Sequence, residues 1–155
     1  MGDTIGIVAS SLPVLPSFAQ NYQRGKKVLI ELGFKIYEGK TIGKTRWWAA
    51  GTPQEVAQDI NSMFVNPKVK AIMAQTGGYS ASSVLEYLDY KLISQNPKPV
   101  IGMSDVTNFH LAILTKCHLA GFHMDDVTFG LGHPWAEGEE NFAEFSQEVF
   151  MKFLT

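Results

Sequence analysis

The chain has 155 residues, 45% of them hydrophobic and 18% charged, and a formal net charge of −2. That length suits one domain with a substantial core, and the scattered Lys and Arg residues leave no basic footprint for a nucleic-acid partner. No apolar run reaches the length of a membrane span, the Met1-Gly2-Asp3 start carries no signal-peptide pattern, and the lone Cys117 cannot close an internal disulfide, so a cytoplasmic protein is expected.

Thr4 to Ala9 is a compact run rich in β-branched residues, read as a first strand that ends in Ser10-Ser11-Leu12-Pro13. Ser17 is placed to cap a helix running to about Leu32, with Gly33 as its stop, and Phe34 to Tyr37 reads as the second strand. A polar loop carrying Arg46-Trp47-Trp48 follows. Such a loop either offers an aromatic platform to a ligand or half-buries its rings. Thr52-Pro53-Gln54-Glu55 is a helix start with capping-box spacing, and Val56, Ile60, Met63 and Phe64 recur at helical intervals behind it. Asn66-Pro67 stops that helix before Val69 to Ala74, an almost wholly apolar run of the kind found in central parallel strands.

Thr76-Gly77-Gly78-Tyr79-Ser80 comes next, then a helix from Ala81 to about Leu88 and a short segment to Gln95. Pro99 to Ile101 reads as a fourth strand and runs through Gly102-Met103 into Ser104, where a new helical pattern (Phe109, Ile113, Leu114, Cys117) begins at once. Ala120 to Met124 is read as a fifth strand, Asp125 to Asn141 as a loop and Phe142 to Leu154 as a last amphipathic helix. Alternating strands and helices predict a three-layer α/β domain with a mainly parallel sheet of about five strands. In such sheets ligands bind beyond the carboxyl ends of the strands, which places Ser10-Ser11, Thr76 to Ser80 and Met103 to Asp105 at the expected site.

Strand, tight turn, serine and helix make up the geometry of a nucleophile elbow, which lifts a hydroxyl above the sheet edge. Val106 stands where G-x-S-x-G has its second glycine, so that motif does not match. From these residues alone two readings stay open: Ser104 as nucleophile, or Ser104 as the cap of the helix behind it. Gly77-Gly78-Tyr79 opens a helix after a strand and is either an anion cradle or a tight βα turn. It lacks both the P-loop and the dinucleotide spacing, so no cofactor is expected. None of the 4 histidines (His110, His118, His123, His133) pairs at metal-ligand spacing, so no metal is expected either. His110 shares a helix with Ser104 and is carried away from the hydroxyl. A Ser–His dyad within the chain would have to use His123 or His133.

Placed in order, Gly2 to Ser11, Ala50-Gly51-Thr52, Asn66 to Ile72, Gly77-Gly78-Tyr79, Leu88-Asp89-Tyr90, Asn96-Pro97-Lys98 and Ile101 to Thr107 resemble the LD-carboxypeptidase family of serine peptidases. Murein tetrapeptide carboxypeptidases and microcin C self-immunity peptidases belong to it. The resemblance implies that residues 1–155 are a flavodoxin-like N-terminal domain. It implies that Ser104 attacks an amide in a muropeptide or a peptidyl-nucleotide. The oxyanion would be held by the N–H groups of Asp105 and of Gly77 or Gly78, with Tyr79 beside them. A second domain, beginning about where the sequence stops at Thr155, would supply the glutamate and histidine of a Ser–His–Glu triad. Phe122-His123-Met124-Asp125 departs from the family's usual run after the fifth strand. Tyr37-Glu38-Gly39 and Met73 to Gly77 lean toward the microcin branch. With that second domain removed, an apolar patch around Phe122, Phe129, Leu131 and Trp135 is expected, and with it self-association as a homo-oligomer. The competing expectation is a domain of the same fold that binds a ligand or forms oligomers without cleaving anything.

Overall fold

The structure, a computed structural model, describes residues 2–135 and 140–154. Its strands are β1 (Thr4–Val8), β2 (Lys35–Glu38), β3 (Val69–Ala74) and β4 (Val100–Ile101). They form a 4-stranded sheet in the order β2-β1-β3-β4, with every pair parallel. The helices are α1 (Ala19–Glu31), α2 (Pro53–Val65), α3 (Ala81–Val84), α4 (Tyr90–Gln95), α5 (Thr107–Cys117) and α6 (Glu140–Leu154).

The layers follow from the two-residue period of the strands. Ile5, Ile7, Ala71, Met73 and Ile101 turn to one face and pack with Tyr22 and Leu29 of α1 and with Phe150 of α6. Val8, Ile72, Ala74 and Val100 turn to the other and pack with α2, α3 and α5 through Ile60, Met63, Val84, Phe109 and Ile113. Register slips between Thr4 and Ile5 of β1, so that Lys70 of β3 is passed over and stays in solvent. The slip lets Val69 face the α2 side although Ala71, two residues on, faces α1.

The expected capping box at Thr52 is present in full. Glu55 N donates to Thr52 Oγ1 at 3.1 Å, and Thr52 N donates to Glu55 Oε2 at 2.8 Å. The other end of α2 is closed from a distance. The Lys98 ammonium donates to the carbonyls of Met63 and Asn66 at 2.8 and 2.5 Å, where orphan acceptors and the helix dipole favour a cation.

The sequence expectations need three corrections. The fifth strand is reduced to one bridge: Phe122 pairs in parallel with Ile101, its N–H donating to Val100 O at 2.8 Å. None of Ala120 to Met124 is β-branched, and Gly121 lies too close to the His110 ring and to Val100 O to take a side chain, so pairing does not extend. Ser17 does not cap α1. It sits inside a 3-10 turn (Pro16–Phe18), and α1 starts at Ala19 without a side-chain cap. The helix expected to run from Ala81 to about Leu88 breaks after Val84 into a 3-10 turn (Leu85–Tyr87), and α4 begins afresh under an Asp89 cap that accepts from Leu92 N at 2.9 Å.

The carboxyl end of β1 is tied down by Asp59 of α2. Its buried carboxylate accepts from Lys40 N (3.0 Å), Thr41 N (2.8 Å) and Thr41 Oγ1 (2.6 Å). Thr41 Oγ1 in turn accepts from Ala9 N at 3.0 Å. Asp59→Ala should lower the unfolding free energy by about 3 kcal/mol, because it strands buried donors. Thr52→Ala at the exposed cap should cost only about 1 kcal/mol. Urea unfolding of both variants measures the contrast, and equal losses would contradict this ranking.

Candidate active site

β4 is followed by a turn that no ordinary loop sequence would adopt. Gly102 has φ +149°, a conformation that L side chains rarely adopt, and a Cβ there would crowd Ala74 Cβ and both Val106 methyls at 3.1 Å. Met103 is extended, and Ser104 then takes φ +58°, the left-handed region that L-residues enter at a cost. The chain next winds through a 3-10 turn (Ser104–Val106) into α5. The cap reading of Ser104 fails on this geometry. The turn begins after Met103 and has no side-chain cap, and among the described residues the exposed Ser104 hydroxyl has no hydrogen-bond partner. Val106, which breaks the G-x-S-x-G pattern, is buried in the space that Gly102 leaves.

The β3 loop comes up against the serine. A Cβ on Gly77 would lie 3.0 Å from Ser104 Cβ and 3.3 Å from Asp105 N, so any side chain there would press the two loops apart by a few tenths of an ångström. Gly78 has φ +152°, and a side chain on it would collide with Ser11 Oγ. Among the described residues the N–H groups of Gly77 and Gly78 donate to nothing. The Asp105 N–H lies in the first turn after the elbow, where a helix has no preceding acceptor of its own.

Side chains join the loops. Ser11 Oγ, from the β1 loop, donates to Asp105 Oδ2 at 2.7 Å and accepts from Tyr79 N and Ser80 N at 2.9 Å each. Ala81 N donates to the same Asp105 oxygen at 2.9 Å, and Asn108 Nδ2 donates to Asp105 Oδ1 at 2.9 Å. The β1, β3 and β4 loops therefore meet on one carboxylate.

A family model described as the LD-carboxypeptidase N-terminal domain matches residues 5–124. The chain belongs to the LD-carboxypeptidase family. It is 36% identical over 156 aligned positions to the microcin C7 self-immunity protein MccF of Escherichia coli, an alignment that covers 100% of this chain and 44% of that protein. It is 32% identical to a probable murein peptide carboxypeptidase of Bacillus subtilis, covering 84% of this chain and 40% of that one. A solved structure of MccF in complex with aspartyl sulfamoyl adenosine superposes with a TM-score of 0.91 at 36% identity, covering 100% of this chain and 45% of that one. The chain thus spans less than half the length of the relatives it matches.

The other residues singled out in the sequence lie as follows. The Tyr79 ring is 83% exposed, and its N–H is committed to Ser11. His110 points back into the fold, with Nε2 2.9 Å from Gly102 O; that carbonyl can only accept, so Nε2 carries the proton. Burial holds His110 below the ordinary histidine range, and His123, whose ring centroid is 6.1 Å away, pushes in the same direction. His133 stacks edge-on against Trp135 at 4.6 Å. Among the described residues no histidine is hydrogen-bonded to Ser104, and no cluster of three or more His, Cys, Asp or Glu residues could hold a metal ion. No described helix is long and apolar enough to cross a membrane. Of the expected apolar patch, Phe129 and Trp135 are each 37% exposed, whereas Phe122 is half-buried against the core and Leu131, 6% exposed, belongs to that core with Val127.

Sequence reasoning missed Ser11 as a hub, the Asp105 side chain and a second layer beneath them. Gln75 Nε2 donates to Leu12 O (2.8 Å), and Gln75 Oε1 accepts from Thr128 Oγ1 (2.8 Å). Asp126 accepts from Thr76 Oγ1 (3.0 Å) and from Phe129 N (2.7 Å), fastening a π-helical turn (Val127–Leu131) under the β3 loop. The only signal in the sequence was an excess of Ser, Thr, Gln and Asp at strand ends. Burial pushes the Asp126 carboxyl above its usual range, against hydrogen bonds that pull it down. Its folded value is raised, so its contribution to stability is fully present below about pH 4, where both states are protonated, and is lost as pH rises through the folded value. Asp126→Asn keeps the acceptor toward Phe129 and cannot ionise. The native chain should therefore lose stability relative to this variant as pH rises above about 4 in urea melts, and a constant difference would refute the assignment.

Proposed function

We propose that this chain is the nucleophile-bearing half of a serine carboxypeptidase-type hydrolase that cleaves an amide in a muropeptide or a peptidyl-nucleotide. The observation that carries the reading is Ser104 itself, an exposed hydroxyl with no partner among the described residues, held at φ +58° at the carboxyl end of a parallel strand. Strain of this kind persists where surrounding structure over-determines it, and it concentrates at reacting groups.

In this reading Ser104 Oγ attacks the amide carbonyl. The negative charge that develops on the carbonyl oxygen is met by the N–H of Asp105 and that of Gly77 or Gly78. Donors fixed in advance act at the transition state without reorganisation. The proton released by Ser104 passes to a histidine outside these 155 residues, oriented by a glutamate there, and then to the leaving amine. Water releases the acyl group by the same steps in reverse roles. The likeness to MccF supports a peptidyl-nucleotide substrate and the likeness to the murein peptide carboxypeptidase supports a muropeptide. The Tyr37-Glu38-Gly39 and Met73 to Gly77 segments favour the former. A second reading, a domain that binds or assembles without cleaving, is favoured for these residues alone by one observation: no described histidine is bonded to Ser104.

Turnover of a tetrapeptide muropeptide and of an aminoacyl-sulfamoyl nucleotide should be negligible for the 155-residue chain, because the oxyanion donors and binding alone leave roughly 10³-fold over water. Joining the chain to a family second domain that carries the glutamate and histidine should restore turnover. Ser104→Ala in that protein should lower kcat by about 10⁶-fold. Robust turnover by the lone chain would mean that His123 or His133 is the base, and the two-domain mechanism would fall.

A further inference from the structure

Trp47 and Trp48 are 78% and 62% exposed, although indole rings gain greatly from burial. The hairpin that carries them is firmly built. Arg46 N donates to Ala49 O at 2.7 Å, Ala49 N donates to Arg46 O at 3.0 Å, and Trp47 is held at φ +55°, where a bulky residue sits under strain. The two rings lie 5.6 Å apart with their planes inclined by 37°. They wall a hollow of about 270 Å³ completed by Pro53 at the start of α2 and by Ser80 and Val84 at the two ends of α3. Among the described residues one cation, Arg46, lines it, and no carboxylate does. Among the described residues the Arg46 guanidinium has no ion pair or hydrogen bond, whereas the neighbouring Lys44 is paired with Glu55 at 3.3 Å. Ser80 belongs to two places at once: it lines the hollow, and its N–H is bonded to the Ser11 hydroxyl that Asp105 holds.

We propose that this hollow binds a flat aromatic ring that carries an anion, the ring lying on Trp47 and Trp48 and the anion meeting Arg46. Exposed indoles supply stacking area, and a lone guanidinium without a carboxylate partner selects negative charge. The position beside Ser80 makes the ligand a part of the substrate remote from the bond that Ser104 attacks. That last step rests on the function proposed above; the binding itself does not. Two sources offer this chemistry: the nucleotide part of a peptidyl-nucleotide, or an aromatic residue with a free carboxylate at the end of a peptide.

Binding is read without turnover, so its failure is distinct from a failure of the catalytic reading. The chain has 3 tryptophans, and Trp135 stacks on His133 elsewhere, so Trp135→Phe leaves the hairpin indoles as the only tryptophans, read by excitation at the red edge where tyrosine does not absorb. That protein is titrated with adenosine monophosphate, adenosine, N-acetylphenylalanine and N-acetylphenylalanine amide. Saturable quenching is expected from at least one anionic probe, and more weakly from its uncharged counterpart. Preference for the nucleotide or for the amino acid identifies the source. Trp47→Ala should weaken binding about 5- to 150-fold, the range for loss of one stacking ring. Arg46→Gln, at an exposed position, should abolish the preference for the anionic probe without touching the fold. The proposal is overturned if neither anionic probe quenches saturably, or if Arg46→Gln leaves the anion preference intact.

Discussion

The hydrogen bond from Ser11 to the Asp105 carboxylate is the contact on which the site depends. Parallel strands end at the same edge of a sheet, but nothing in a sheet fixes the loops beyond that edge relative to one another. Ser11 lies past β1, Tyr79 and Ser80 past β3, and Asp105 past β4. One hydroxyl and one carboxylate join all three, with the acceptor charged and therefore strong. The β1 side of this junction is anchored in its turn through Ala9, Thr41 and the buried Asp59. Positioning thus runs from the interior of α2 to the peptide beside Ser104.

The turn at Ser104 keeps a strained backbone although Val106 breaks the G-x-S-x-G pattern. The usual glycine two residues past the serine keeps a side chain out of a crowded turn. Here Val106 fills that place and Gly102 gives way instead, while Gly77 provides the close approach from the opposite loop. His110 closes the back of the turn by donating to Gly102 O. Crowding is therefore relieved at other positions, and the strained φ at Ser104 is retained.

Much of this was legible in the sequence. The alternation of apolar runs and helical patterns gave the parallel α/β class, and Thr52-Pro53-Gln54-Glu55 placed the start of α2 where it lies. Gly77-Gly78 and Gly102 through Ser104 marked the loops that meet, because both leave the carboxyl ends of parallel strands that lie side by side. Strand five was over-read, since an apolar run at the right spacing does not reveal that Gly121 is pressed against His110 and Val100. The Ser17 cap was over-read because Pro16 allows an earlier 3-10 turn. Ser11, Gln75, Thr128 and Asp126 act through contacts 50 or more residues away, and no local pattern encodes such partners.

The Asp105 carboxylate holds the β1 and β3 loops in place beside Ser104. Amide hydrogen exchange reads it directly, because Tyr79 N, Ser80 N and Ala81 N all donate into this junction. In Asp105→Ala their exchange should speed up by about tenfold or more, the loss expected of a hydrogen bond to a charged group. Ile72 N, which donates to Pro99 O inside the sheet, should change far less. Exchange at Tyr79, Ser80 and Ala81 that stays at native rates, or that rises only in step with Ile72, would contradict the claim.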